Sequence, residues 1–148
     1  MTSLSYDLHK LTARLDRAAD RLLRDHDGIS YSRFLALFAI RQGALSQRAL
    51  ADWLGQSEPS TSRMVGVLAD EGLLKVTRVA GAGNRRHLEL TDSGAALVKR
   101  ASGLLEERFV VLVNRSGVSY ASYQRHTRRL LSELDAETGA VAGLGSAA

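Results

Sequence analysis

Ser57–Val76 reads SEPSTSRMVGVLADEGLLKV and holds the pattern that decides the fold. Thr61, Met64, Val65 and Leu68 recur at helical spacing and predict one face turned to a core. The opening turn, by contrast, is crowded with hydroxyls around the chain's single proline. Ser57 has the chemistry of an N-cap, and Pro59 falls in the first turn, where its missing N–H leaves no helical bond unmade. With the apolar face inward, Ser60, Ser62 and Arg63 are left on the outer side. The helix runs to about Glu71, and Gly72 stops it.

Upstream, Ser46 caps a short helix, QRALADWL, whose Leu50, Ala51 and Leu54 face inward and which Gly55 terminates. Two short helices joined by a tight glycine turn form a helix-turn-helix. Downstream, LLKVTRV is strand-like, AGAGN is a turn, and in RRHLEL the residues Arg86, Leu88 and Leu90 alternate with His87 and Glu89. That is a β-hairpin with a flexible tip. A helix-turn-helix followed at once by a hairpin is a winged helix.

The flanks are helical. Leu4, Leu8, Leu11, Leu15, Ala18 and Leu22 form a narrow leucine seam on a helix predicted over Ser5–Arg24. The turn chemistry of DHDGIS follows, and Ser30 or Ser32 caps a second helix through Phe34, Leu37 and Ile40 that ends at Gly43. Thr91 caps a long helix from Asp92 to about Asn114, RSGVS breaks it, and a last helix from Tyr120 to about Glu137 is predicted to bury Tyr123, Leu130, Leu131 and Leu134. The tail TGAVAGLGSAA reads as disordered.

Such flanks exceed what a winged helix needs, and their apolar faces would be exposed on a monomer. A symmetric dimer is the simplest solution, with Leu4, Leu8, Leu11, Leu15, Val118, Tyr123, Leu130 and Leu134 at its interface. The expected fold is mainly α with a small β-hairpin wing. Its winged helix-turn-helix core occupies 31–91 and is flanked by helical dimerisation regions at 1–30 and 115–137. A connecting helix at 92–114 and a tail at 138–148 complete the chain.

Composition narrows the function. The 148 residues carry a formal charge of +4, compatible with a polyanionic partner without requiring one. Between Ala44 and Thr91, six Lys and Arg stand against five acids, so any basic stripe there must come from arrangement. No cysteine is present, which excludes disulfides and thiol-based redox sensing. The apolar runs FLALFAI and FVVLV are far short of the roughly 20 residues that span a bilayer. MTSLSYDLHK lacks a basic segment followed by an apolar one, so no secretory signal is expected and a cytoplasmic location is. His9 and His26 with Asp25 and Asp27 read as surface and cap rather than a metal site, and no cofactor is expected. No GxSxG, HExxH or phosphate-binding glycine loop supports an enzyme.

The run from ALSQRALADWLG through PSTSRMVGVLADEGLL to LELTDSG, with YSRFLALFAI before it, resembles the MarR family of bacterial transcription regulators. The resemblance implies a homodimer on pseudo-palindromic operator DNA, usually a repressor and often released by a small, commonly phenolic, ligand. Members usually carry an acidic residue followed by arginines at the wing tip. Here NRR places Asn84 where an Asp would stand, while counting back from LELT places the acid position at Ala82 and the arginine position at Asn84.

Hydroxyls and free N–H groups at a helix N-terminus suit phosphate oxygens and close base approach. The expected DNA-binding residues are therefore Ser57, Pro59, Ser60, Ser62 and Arg63 in the recognition helix, with Arg63 able to bind guanine O6 and N7. Arg85 and Arg86, either or both, would enter a minor groove from the wing. An effector between the dimer-forming helices and the winged helix would alter the spacing of the two reading heads. The competing reading is a winged-helix protein-interaction module without DNA activity.

Overall fold

The computed structural model describes residues 3–81, 83 and 85–144. Ala82 and Asn84, the wing-tip positions singled out above, lie outside the described residues. In chain order the elements are α1 (Leu4–Asp27), α2 (Tyr31–Arg41), α3 (Gln47–Leu54), α4 (Glu58–Asp70), β1 (Leu74–Arg78), β2 (Arg86–Leu90), α5 (Asp92–Arg115) and α6 (Tyr120–Leu144). The chain divides into two compact units at Leu105/Glu106, within α5.

In the first unit, hydroxyl caps start the helices where the sequence places them. Ser30 Oγ accepts from the Arg33 N–H, Ser46 Oγ from Ala49 and Ser57 Oγ from Ser60. Of the two serines that could cap α2, the work falls to Ser30, and Ser32 lies within the helix. Gly28 and Gly55 end α1 and α3 in the left-handed region, with φ of 65° and 63°.

α1 runs three residues beyond its expected end at Arg24. Its last turn carries Arg24 and His26, favourable at the negative helix end, and Asp27 there is compensated by the Arg100 guanidinium at 2.9 Å. The same end of α1 enters the core: Leu23 is fully buried, packed with residues of α2 to α5. Asp20 adds a staple, accepting from the Tyr31 N–H at 2.9 Å and from Arg24 Nε at 2.7 Å. These hydrogen bonds, the Tyr31 amide first, hold the Asp20 carboxyl below the usual carboxylate range. The staple is therefore in place above that range and is lost as acid protonates Asp20.

The core gathers Leu37 of α2, Leu50 of α3, Leu68 of α4, Leu88 of β2 and Val98 of α5, all essentially inaccessible to solvent. The two strands pair antiparallel, with Leu74 opposite Leu90 and Val76 opposite Leu88. A further connection was not legible in the sequence: the Leu88 N–H donates to the Leu45 carbonyl at 2.8 Å, and Ser46 bridges His87. The segment before α3 thus extends the hairpin as a third edge.

The hairpin is locked to α5 at Thr91. Its Oγ1 donates to the Gly72 carbonyl at 2.6 Å and accepts from the Gly94 N–H at 3.0 Å, while its own N–H donates to the Leu73 carbonyl. Gly94 is required by this closeness, because a Cβ there would overlap the Leu73 carbonyl oxygen.

In the second unit, the Phe109 ring lies 6.4 Å from that of Tyr120 and 6.3 Å from that of Tyr123. The Tyr120 hydroxyl donates to Glu106, which raises its pKa by favouring the protonated phenol. α6 corrects two expectations. It continues through Leu144 instead of ending near Glu137, the Thr138 hydroxyl bonding back to the Leu134 carbonyl one turn earlier. Leu130, Leu131 and Leu134, expected to be buried, are 58, 55 and 59% exposed, because nothing among the described residues covers that face. Tyr123 is half-buried.

Gly94→Ala is expected to destabilise the first unit by about 1–3 kcal/mol in urea denaturation, the typical range of overpacking. Gly103→Ala on the same helix meets open space and should stabilise by up to about 1 kcal/mol. Equal effects at the two glycines would refute the close-approach account.

Candidate nucleic-acid interface

α4 is seated by its buried face. Thr61, Val65 and Leu68 are 0, 2 and 0% exposed, and Met64 is half-buried beside them. Thr61 is the one polar member of that face, and its hydroxyl donates to the Ser57 carbonyl at 3.0 Å, so burial leaves it bonded. The opposite face presents Pro59 and Arg63 to solvent, with Ser60 and Ser62 half-buried at its edges. Arg63 Nη2 lies 3.3 Å from Ser60 Oγ, and no carboxylate among the described residues pairs with Arg63.

A cleft of about 670 Å³ opens beside this helix, lined by Ser46, Gln47, Arg48, Glu58, Ser62, Arg85 and Arg86. The starts of α3 and α4 and the beginning of β2 meet there, held in register by the Leu45–Leu88 hydrogen bond and the Ser46–His87 bridge. Three guanidinium groups and one carboxylate line the cleft, and none of the four forms an ion pair among the described residues. At the turn end of the strand pair, Arg78 stands directly opposite Arg86. Like charges at opposed positions repel, and both side chains are exposed, so the pair presents two adjacent cations to an approaching anion.

Of the residues singled out from the sequence, Ser62, Arg85 and Arg86 are brought to one cleft. Ser57, Pro59, Ser60 and Arg63 stand on the start and outer face of α4, outside that lining. The sequence reading passed over Gln47, Arg48, Glu58 and Arg78. Arg48 and Gln47 follow the α3 cap directly, so the presence of a helix start beside the wing was the available signal. Arg78 needed the strand register.

Gln47 is the member of the group with an unpaired buried atom. Its Oε1 is buried and no donor among the described residues reaches it, a state that costs about 1–3 kcal/mol. Gln47→Met should accordingly leave the midpoint of urea unfolding unchanged or raise it, whereas Ser46→Ala should lower stability by about 1 kcal/mol through loss of the α3 cap. A large destabilisation by Gln47→Met would show that the side chain is bonded in solution.

Residues 27–86 match the model of the MarR family. The chain is 36% identical over 85 residues to the HTH-type transcriptional regulator PetP of Rhodobacter capsulatus, a match spanning 56% of this chain and 50% of that protein; the chain thus covers about half the length of this curated relative. Among solved structures it is similar to wild-type MarR of E. coli in its apo form, with a TM-score of 0.74 at 20% identity, covering 90% of this chain and 98% of that one. It is similar also to MepR of S. aureus in its DNA complex, with a TM-score of 0.73 at 23% identity, covering 92 and 99%. At those identities the structures establish the fold, and the matched segment contains the helix-turn-helix and the start of the second wing strand. Over residues 27–86 the chain matches the MarR family model, and its fold is the winged helix-turn-helix of these structures.

Proposed function

We propose that the chain is a cytoplasmic, homodimeric, sequence-specific DNA-binding transcriptional regulator, a repressor released by a small-molecule effector. The observation that carries this reading is the cleft beside α4, where Arg48, Arg85 and Arg86 stand without ion-pair partners next to the exposed start of the recognition helix. Surface cations so arranged suit phosphate oxygens, while the small side chains of α4 suit close approach to base edges in a major groove. Arg63 on the outer face is placed to bind guanine, and Ser57, Pro59, Ser60 and Ser62 to accompany it. Arg85 and Arg86 suit the neighbouring backbone or minor groove. PetP is named a transcriptional regulator, and MepR has been crystallised with DNA. No helix among the described residues is long and apolar enough to cross a membrane.

Dimerisation follows from apolar surface. Leu4, Leu8 and Leu11 on α1 are 73, 40 and 38% exposed, with Leu15 half-buried below them; Val118, Leu130, Leu131 and Leu134 are likewise open. Exposed leucines in rows mark association surfaces, and a two-fold pair of winged helices matches half-sites about one DNA turn apart.

Fluorescence anisotropy on the DNA upstream of its own gene, against a scrambled duplex and across salt, tests the reading. Tight selective binding by two chains per site is expected. Arg63→Ala should weaken it by about ten-fold, and the Arg85→Ala, Arg86→Ala pair should also reduce the salt slope by about one to two. Equal weak binding to both duplexes, followed by no motif in a selection from random DNA, would overturn the reading in favour of a protein-interaction module.

A second measurement addresses assembly. Leu130→Glu with Leu134→Glu should convert a dimer to a monomer by light scattering while leaving the helical circular dichroism in place. A dimer that survives both charges would remove α6 from the interface.

A further inference from the structure

We propose that Glu58 is a base-reading residue that selects cytosine in the half-site, a specificity role resting on the DNA-binding reading above. Glu58 is the first residue of α4, exposed, and lines the cleft with Ser62, Arg48, Arg85 and Arg86. Although three guanidinium groups share that cleft, Glu58 has neither ion pair nor side-chain hydrogen bond among the described residues. An acceptor-only group therefore stands at the leading end of the helix that is to enter a polyanion.

The chemistry of the major groove leaves such a group one good partner. Guanine shows only acceptors there, and thymine an acceptor and a methyl group. Adenine shows an amino donor beside the N7 acceptor, which repels a carboxylate. Cytosine alone shows its N4 amino donor with no adjacent acceptor on the same base. The guanine paired with that cytosine turns O6 and N7 outward, where an arginine fits. A carboxylate and a guanidinium lining one cleft thus match the two halves of a C·G pair. Against phosphate the same carboxylate is repulsive, so Glu58 lowers affinity wherever it meets no cytosine. That combination produces selectivity at some expense of non-specific binding.

An acidic residue in the first helical turn also stabilises the helix through its dipole. That effect acts on folding and is blind to base identity, so base preference separates the two roles.

The test is selection from random DNA with the full-length dimer, followed by anisotropy titration of single-base variants of the selected site, for wild type, Glu58→Gln and Glu58→Ala. Wild type should show a symmetry-related cytosine in each half-site whose replacement costs at least about five-fold in Kd. Glu58→Gln should lose that preference in favour of adenine, whose N6 and N7 a glutamine amide can bind together. Glu58→Ala should show no preference at the position and should bind scrambled duplex more tightly than wild type. A wild-type motif reproduced by both variants, with the same ranking of bases at every position, would overturn the assignment while leaving the regulator reading intact. Absence of any wild-type motif would overturn the regulator reading, and this assignment with it. Thermal unfolding of the same preparations shows that each variant is folded, as expected for an exposed position.

Discussion

The orientation of α4 about its own axis governs everything the interface can do, and the burial of Thr61, Val65 and Leu68 sets that orientation. Successive helical residues are about 100° apart, so a slip of one position would carry a buried side chain to solvent and an exposed one to the core. The hydroxyl of Thr61 makes the slip costly in a second way. It is fully buried and returned to the Ser57 carbonyl, one turn back at the cap, so the polar atom is satisfied only in this register. The cap, the proline and the buried threonine together define where the helix starts and which way it faces. Arg63 and the small hydroxyls are outside as a consequence.

Around that helix the wing is placed by backbone rather than by side-chain packing alone. The Leu45 carbonyl and Ser46 tie β2 to the start of α3, and Thr91 ties the end of β2 to Gly72 and Gly94. These bonds carry Arg85 and Arg86 to the same cleft as Ser62 and Arg48, although Arg85 follows Ser62 by 23 positions and Arg48 by 37. The absence of a side chain at Gly94 lets the Leu73 carbonyl pass close to α5, and the whole hairpin is held at that distance.

Electrostatically the region shows how little net charge says about a surface. Six cations against five acids over Ala44–Thr91 is nearly neutral. Two of those acids sit elsewhere in function: Glu71 pairs with Arg33 at 2.9 Å, and Glu89 points outward from β2. Arg48, Arg85, Arg86 and Glu58 remain together without partners. Charges left unpaired on a surface cost little in water, which screens them, and are available to a ligand that brings its own counter-charge.

Local chemistry made the helix-turn-helix legible. Ser46, Ser57 and Thr91 cap because their hydroxyls reach the next turn's N–H, Gly55 terminates because it adopts positive φ, and the apolar spacing of α4 predicts its buried face. Each of these is settled within about four residues, the range over which sequence alone constrains a backbone. The third edge at Ser46, the Arg78–Arg86 opposition, the entry of Leu23 into the core and the convergence of Gln47, Arg48 and Glu58 on the wing were decided only by tertiary structure. They depend on pairing register and on which faces meet across long stretches of chain. Leu130, Leu131 and Leu134 of α6 mark the boundary between the two: their periodicity belongs to an apolar face, but burial requires a partner surface, and among the described residues of one chain there is none.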